Sequence, residues 1–401
     1  MAPKKADPDP TLASALAPGR TRLVAHSAAF LPEGYALARK PRFGWRSRPE
    51  SFYQGFEKRA LFYDVFRHAD GEQVLLVGPP PRNLLGLLKR AHYSVKGNKT
   101  SFKPKFFISQ SVMIMTLKGV PKNADILDVR VDDLEFALPI GENFARELAG
   151  RRVLFTMSKN NPLPWIKAWA HYHQRFHDVD AVVLIDNGSS DYPPEEIART
   201  LEKTRVKEIM IISWPYIYGA IDRAVIFNPY WTHFLQIAGL ALVLRRFVAR
   251  AEGILNCDID ELVAHRKAPS IFSALQNTPQ GLLAMNGSWV EPLPLSSNYG
   301  DHRDFIYRVK DQEKRVCHER KWLLDPRQDW VQNLAIHPYM HWIKGRPRGS
   351  KFMSEDAFFW HFKGINTNWK VKRNKITPEQ AQTMEPDPEL GEIFSRWPDI
   401  K

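Results

Sequence analysis

The second half of the chain alternates strand-length apolar runs with helical periodicity, and no other feature restricts the fold as tightly. Arg152-Val153-Leu154-Phe155-Thr156-Met157 is a near-continuous apolar run, the pattern of a strand buried on both faces. Asn161-Pro162-Leu163-Pro164 then opens a helix with proline in its tolerated first turn. Trp165, Trp169, Tyr172 and Phe176 follow at spacings of four, three and four, which makes one apolar helix face. The next run, Ala181-Val182-Val183-Leu184-Ile185, begins roughly 30 residues after the first. That is the length of a βαβ crossover, so the two strands are expected to be parallel. A helix from Pro194 to Lys203, a strand from Lys207 to Ser213 and a long helix from about Trp231 to Arg250 continue the pattern, and Ile254 to Cys257 supplies a further strand. The expected fold class is α/β, a mostly parallel open sheet with helices on both faces. Ligands of such sheets bind beyond the carboxyl ends of the strands. That rule gathers Thr156–Asn160, Asp186–Asp191 and Asp258–Asp260 on one rim.

The apolar run ending at Cys257 leads into Asp258-Ile259-Asp260-Glu261. Residues two apart on a strand face the same side, so Asp258 and Asp260 are expected to point together. Two carboxylates at the end of a buried strand need compensating charge. A hard divalent cation, Mg2+ or Mn2+, supplies it with oxygen ligands from one or two carboxylates and substrate phosphates.

Residues 21–146 read differently, as short β-like runs between Gly, Pro and Asn turns. Examples are Arg59 to Phe66, Gln73 to Gly78, Ser101 to Ile108 and Ser111 to Leu117, with Ala69-Asp70-Gly71-Glu72 as a hairpin turn. A β-rich N-terminal domain is expected there, after a Pro- and Ala-rich mobile tail over residues 1–20 and before a main domain over 147–375. Residues 376–401, rich in Pro, Glu and Asp, are expected as a peripheral helix or tail. The net charge of +13 suits an anionic partner such as a nucleotide, an acidic glycan or an anionic lipid surface. No recognised nucleic-acid motif accompanies it, so nucleic acid is a disfavoured partner. Cys257 and Cys317 are the only cysteines, which points to a reducing, cytoplasmic compartment with possible peripheral membrane contact. No apolar segment follows Lys4 and Lys5 as a secretory signal requires.

Three segments, in order, resemble the family 2 and family 92-like glycosyltransferases. Thr156 to Ile166 is similar to their opening element, with Asn161 where Glu is usual. Val183 to Asp191 is similar to their Asp-Asn-x-Ser-x-Asp loop, and Cys257 to Leu262 to their Asp-x-Asp-Glu element. Arg320-Lys321-Trp322, His337 and Phe359-Trp360-His361-Phe362 resemble later pieces. The resemblance covers about residues 150–375 and implies a GT-A type fold, a metal ion and a nucleotide-sugar donor, UDP-linked by preference. It implies a glycan or lipid-linked acceptor and an inverting reaction, as in bacterial surface or capsular polysaccharide synthesis. Carried over, Asp258, Asp260 and His361 are metal ligands. Thr156, Lys159, Asn160, Asp186, Asn187, Asp191, Asp258, Lys321 and His337 face the nucleotide sugar. The acceptor's base has no clear owner; Glu291 is the choice, after a β-like run from Ala284 to Val290, with Asp304, Glu355 and Asp356 as rivals. The reading from another class is a catalytically idle nucleotide- or glycan-binding protein on the same fold, consistent with Asn161 and the unassigned base.

Overall fold

A computed structural model describes residues 20–96, 101–221, 232–293, 300–346, 350–367 and 376–398. Residues 1–19 of the tail expected over 1–20 lie outside the described residues, as do Lys99, 347–349 and Trp369.

The apolar runs assemble into one nine-stranded sheet. Arg20–Leu23, Glu208–Ser213, Ala181–Asp186, Arg152–Ser158 and Gly253–Asn256 lie side by side and parallel, in that order. Val316–Leu324 continues the sheet antiparallel to Gly253–Asn256, followed by Leu282–Val290, Met353–Phe362 and Glu261–His265. The α/β reading of a mostly parallel open sheet therefore holds. Ser158 pairs with Asp186 and Asp186 with Ser213, so these three strands end level and their loops open on one rim.

Strand alternation assigns the two faces. Leu154 joins the core formed with the helices Leu163–His177 and Pro194–Glu202, whereas Val153 and Phe155 join the core under the helix Phe234–Arg246. In the first helix Trp165, Trp169 and Tyr172 are buried, as their spacing requires, and Phe176 is partly covered. The helix Phe234–Arg246 is buried on nearly every side. Such all-round apolar character belongs to a helix clamped between two layers, and the second layer here is the N-terminal β structure.

That β structure contains a four-stranded sheet (Asp64–Arg67, Gln73–Gly78, Met113–Lys118, Pro104–Ile108), a three-stranded sheet (Leu134–Pro139, Ile126–Val131, His92–Val95) and the pair Ala29–Phe30 with Ala60–Phe62. The Ala69–Glu72 hairpin forms where expected. A self-contained unit beginning at residue 21 does not form, because Arg20–Leu23 is an edge strand of the large sheet. Tyr63, Phe66, Leu75 and Ile114 share one core with Val153, Phe155 and Leu240. Beneath that shared core the Arg246 guanidinium donates to Asp64 Oδ2 at 2.6 Å, with both side chains almost wholly buried.

The C-terminal segment is docked. Met384–Pro386 pairs with Tyr307–Val309, and the helix Pro388–Ser395 is capped by Asp387, whose Oδ1 accepts from the amides of Glu389 and Leu390. Leu390, Ile393 and Trp397 enter the main core, and Trp397 Nε1 donates to His171 Nδ1 at 2.8 Å.

Removing one partner of a buried pair strands the other's charge. Arg246→Met is expected to lower unfolding stability by about 3–5 kcal/mol, read from denaturant titration, while adding Asp64→Leu to it restores most of the loss. A single variant as stable as wild type would refute the coupling of the two β layers through this pair.

Candidate functional site

The carboxylates after the Gly253–Asn256 strand sit in a turn, and the expectation that alternation along a strand aligns them is corrected here. The strand ends at Asn256, and Glu261 starts the next. The turn is fixed from several directions: the Glu261 amide donates to Asp258 O at 3.1 Å, the Phe362 amide to Asp260 O at 2.8 Å, and the His302 imidazole Nε2 to Ile259 O at 2.7 Å. Asp258 and Asp260 nonetheless both line a cleft of about 1880 Å³ that opens at the strand ends. Cavities of roughly 300–1,000 Å³ hold drug-sized ligands, so this cleft has room for two molecules of that size.

The two acids have different partners. Lys321 Nζ lies 2.5 Å from Asp258 Oδ2 and 3.0 Å from Glu261 Oε2. Burial acts to lower the Lys321 pKa, but Asp258 and Glu261 outweigh it and raise it well above its ordinary value. His361 Nε2 lies 3.1 Å from Asp260 Oδ2. Burial again works against the cation, and Asp260, with Cys317 and Glu261 behind it, raises the imidazole's pKa well above normal. The Glu261 carboxyl is pushed up to about 7 by burial, against the pull of Lys321. Its Oε1 is buried and accepts no hydrogen bond among the described residues. Donor atoms of Asp260, Glu261 and His361 lie within 4.8 Å of one another. An orphaned carboxylate oxygen beside a second carboxylate and an imidazole fits a divalent cation. Asp258, expected among the ligands, stands outside this group and is held by Lys321.

The remaining expected residues divide. Lys159, Asn160, Asn187 and Asp191 line the cleft. Asn160 adopts φ 52° and ties the first rim loop to the second: its amide donates to Ser189 Oγ at 2.8 Å, and Ser190 N donates to its Oδ1 at 2.7 Å. Asn187 Nδ2 donates to the carbonyls of Trp214 and Tyr216, at 2.7 and 2.9 Å. Asp186 is buried and outside the lining; its Oδ1 accepts the Ser189 hydroxyl at 2.6 Å, so it braces the loop. Thr156 is buried within its strand, and His337 is buried away from the cleft. Glu291, the expected base, is 2 % exposed, lies outside the lining and meets Lys363 Nζ at 2.6 Å. Of its rivals, Asp304 accepts backbone amides at Gly300 and Asp301, Asp356 pairs with Lys267, and Glu355 is exposed outside the lining.

The cleft also recruits residues that sequence reading passed over. Trp289 stacks on His361 with ring centroids 4.3 Å apart. His318, Glu319 and Arg320 line the cleft consecutively, which regular alternation forbids. A register shift opposite Asn286–Gly287 makes this possible, since a bulge re-aims side chains. Glu319 Oε2 comes to 3.9 Å from His361 Nδ1. Ser51, Gln54 and Gly55 bring the N-terminal region to the same wall. Glu261 alone had a readable signal, an acid directly after the paired aspartates inside an apolar run.

No family model matches the chain, and no curated protein matches it. Among solved structures it is similar to glycosyltransferases. The galactosyltransferase LgtC in complex with donor and acceptor sugar analogues aligns at 14% identity and TM-score 0.25, covering 45% of this chain and 59% of LgtC. An active-site mutant of LgtC aligns at 12% identity with the same TM-score and coverage. The apo bifunctional glycosyltransferase WbbM aligns at 12% identity and TM-score 0.27, covering 52% of this chain and 37% of WbbM. The chain thus spans little more than half of LgtC.

Two buried histidines, His302 and His337, titrate in a defined direction. Burial is the largest cause holding His302 and His337 down to about 4, against about 6.5 in an unfolded chain. Between those values the unfolded chain binds protons that the native state does not, so stability falls as pH drops from about 6.5 to 4. The limiting loss is roughly 3 kcal/mol per histidine. Urea titrations across this range measure it, and a flat profile would contradict neutral buried imidazoles.

Proposed function

We propose that the protein is a metal-dependent glycosyltransferase that moves a sugar from a nucleotide-diphosphate donor to a glycan or lipid-linked acceptor. The observation that carries this reading is the Asp260–Glu261–His361 cluster with its orphaned Glu261 oxygen, set in a two-substrate cleft at the ends of a parallel sheet. Asp260, Glu261 and His361 would hold Mn2+ or Mg2+, and a bound cation supplies charge neutralisation for a departing diphosphate. Lys321 keeps Asp258 and Glu261 in fixed positions, which preorganises the site. The Asn160 and Asn187 loops present polar groups to the donor, and Trp289 offers an apolar face to a sugar ring. Glu319 is the best-placed base: it lines the cleft, is partly exposed, and stands beside His361, whereas Glu291 is committed to Lys363. An inverting reaction with a UDP-linked donor, serving bacterial surface polysaccharide, is the finer reading suggested by the sequence resemblance.

A second reading, an idle nucleotide- or glycan-binding protein, is favoured by one contact. The Lys321 ammonium already neutralises Asp258 at 2.5 Å, and that reading expects diphosphate binding that ignores metal.

Calorimetric titration of UDP, GDP and CDP, with and without manganese, separates the two. One diphosphate should bind only with manganese. Asp260→Ala should weaken it by more than the ~10–100-fold typical of losing an outer-shell partner. Binding without metal dependence would favour the idle fold; no binding by folded protein would sink the donor site. Once a transfer assay exists, Glu319→Gln is expected to cut kcat by about 10²–10⁴-fold with donor affinity unchanged. A Glu319→Gln enzyme with normal kcat would remove Glu319 as the base.

A further inference from the structure

One surface turn shows a large aromatic ring to water and is built to keep it there. Trp45 is 77 % exposed, and Phe43 and Leu37 near it are exposed as well. Phe43 takes φ 55°, a conformation that is an outlier for a bulky side chain and persists only where its surroundings enforce it. The enforcement is visible. The Arg46 amide donates to Phe43 O at 3.0 Å and closes the turn. Arg48 reaches back to the carbonyls of Arg42, Phe43 and Arg46 while its guanidinium lies 4.8 Å from the Phe52 ring centre. The Arg42 guanidinium lies 4.7 Å from the Phe43 ring centre, and that of Arg46 5.0 Å from the Trp45 ring centre. The apolar rings are therefore ringed by cations.

The charge of this stretch has one sign. From Gly34 to Pro49 the sequence holds Arg39, Lys40, Arg42, Arg46 and Arg48 and no acidic residue. Arg39 is buried and holds backbone carbonyls of Glu57, Ala60 and Pro80, and Arg48 is turned onto the carbonyls of its own turn, so Lys40, Arg42 and Arg46 supply the outward charge. The turn runs directly into the helix Glu50–Gln54, whose Ser51 and Gln54 line the cleft, and Phe52 and Phe56 of the same segment pack on Ala220. Two more exposed apolar side chains, Ile217 and Ile221, lie on that part of the cleft wall.

We propose that the Leu37–Arg48 turn is a membrane-docking element that seats Trp45 and Phe43 at the headgroup level of an anionic bilayer, with the cleft mouth facing the lipid. Tryptophan is suited to that level because its ring is apolar and its N–H is polar. Each nearby Lys or Arg adds electrostatic attraction to anionic headgroups, and a short apolar insertion with a basic flank gives reversible attachment rather than spanning. No helix among the described residues is long and apolar enough to cross a membrane. A sugar-binding platform would also use an exposed Trp, but it would add acidic or amide side chains for hydroxyl groups, and this stretch has none. The inference stands apart from the donor-site reading, because vesicle binding and nucleotide binding are measured separately.

Vesicle cosedimentation tests it, with phosphatidylcholine alone and with phosphatidylglycerol added. Wild-type protein should bind only the anionic vesicles, less at high salt, and Trp45→Ser and Arg46→Glu should each weaken binding at least about tenfold. A Trp45→Phe difference spectrum should show a blue shift of Trp45 emission when vesicles are added. Because Trp45 is mostly solvated, Trp45→Ser should keep the wild-type melting temperature, so lost binding is not lost fold. Failure to bind anionic vesicles at low salt, or unchanged binding by both variants, overturns the proposal. So does a Trp45→Ser protein that keeps vesicle binding but loses a soluble acceptor glycan.

Discussion

The structure depends on how the carboxylates behind the cleft are compensated. Asp258, Asp260 and Glu261 converge at the end of a buried strand, with Glu261 wholly inside. Buried charge at that density is costly unless it is paired. Lys321 and His361 supply the pairing, from the Val316–Leu324 and Met353–Phe362 strands. The strands beyond Gly253–Asn256 in the sheet order therefore carry the cations that compensate the acids of the turn. One oxygen, Glu261 Oε1, accepts no hydrogen bond among the described residues and has only the His361 imidazole Nδ1 3.8 Å away.

The same logic shapes the rest of the rim. Asp186 uses its carboxylate on Ser189, and Asn187 uses its amide on Trp214 and Tyr216. These bonds hold the loop so that Asn187 and Asp191 reach the cleft. Any polar ligand of this cleft gains from loops whose polar groups are already oriented, since little ordering remains to be done on binding. Glu291 illustrates the converse. Lys363 satisfies it in a buried position, and a carboxylate so held has no free reach into the cleft.

The N-terminal β layers add a wall rather than an appended domain. Their core is continuous with that of the large sheet through Tyr63, Phe66 and Leu75, and the Asp64–Arg246 pair crosses the junction. The Glu50–Gln54 helix extends this layer to the cleft and joins it to the turn bearing Trp45. Binding space and outer surface thus meet along one short segment.

The sequence by itself determined the parallel strands, the helices on both faces and the rim on which Asn160, Asn187, Asp191, Asp258 and Asp260 stand. Those features follow from local periodicity and from the rule that strand ends of such sheets carry ligands, neither of which needs distant contacts. Tertiary structure alone decided the partners. Lys321 lies 63 residues from Asp258 and His361 lies 101 from Asp260, while Glu319 meets His361 from a different strand, and no local pattern encodes such meetings. The bulge that turns His318, Glu319 and Arg320 toward the cleft arises from pairing with another strand. Likewise Arg20–Leu23 is too short and too polar to announce that it closes the sheet's edge, and Trp397 gave no sign of the buried His171 it would meet. Chain geometry set where ligands can bind; side chains brought from far along the sequence set the charge they would find there.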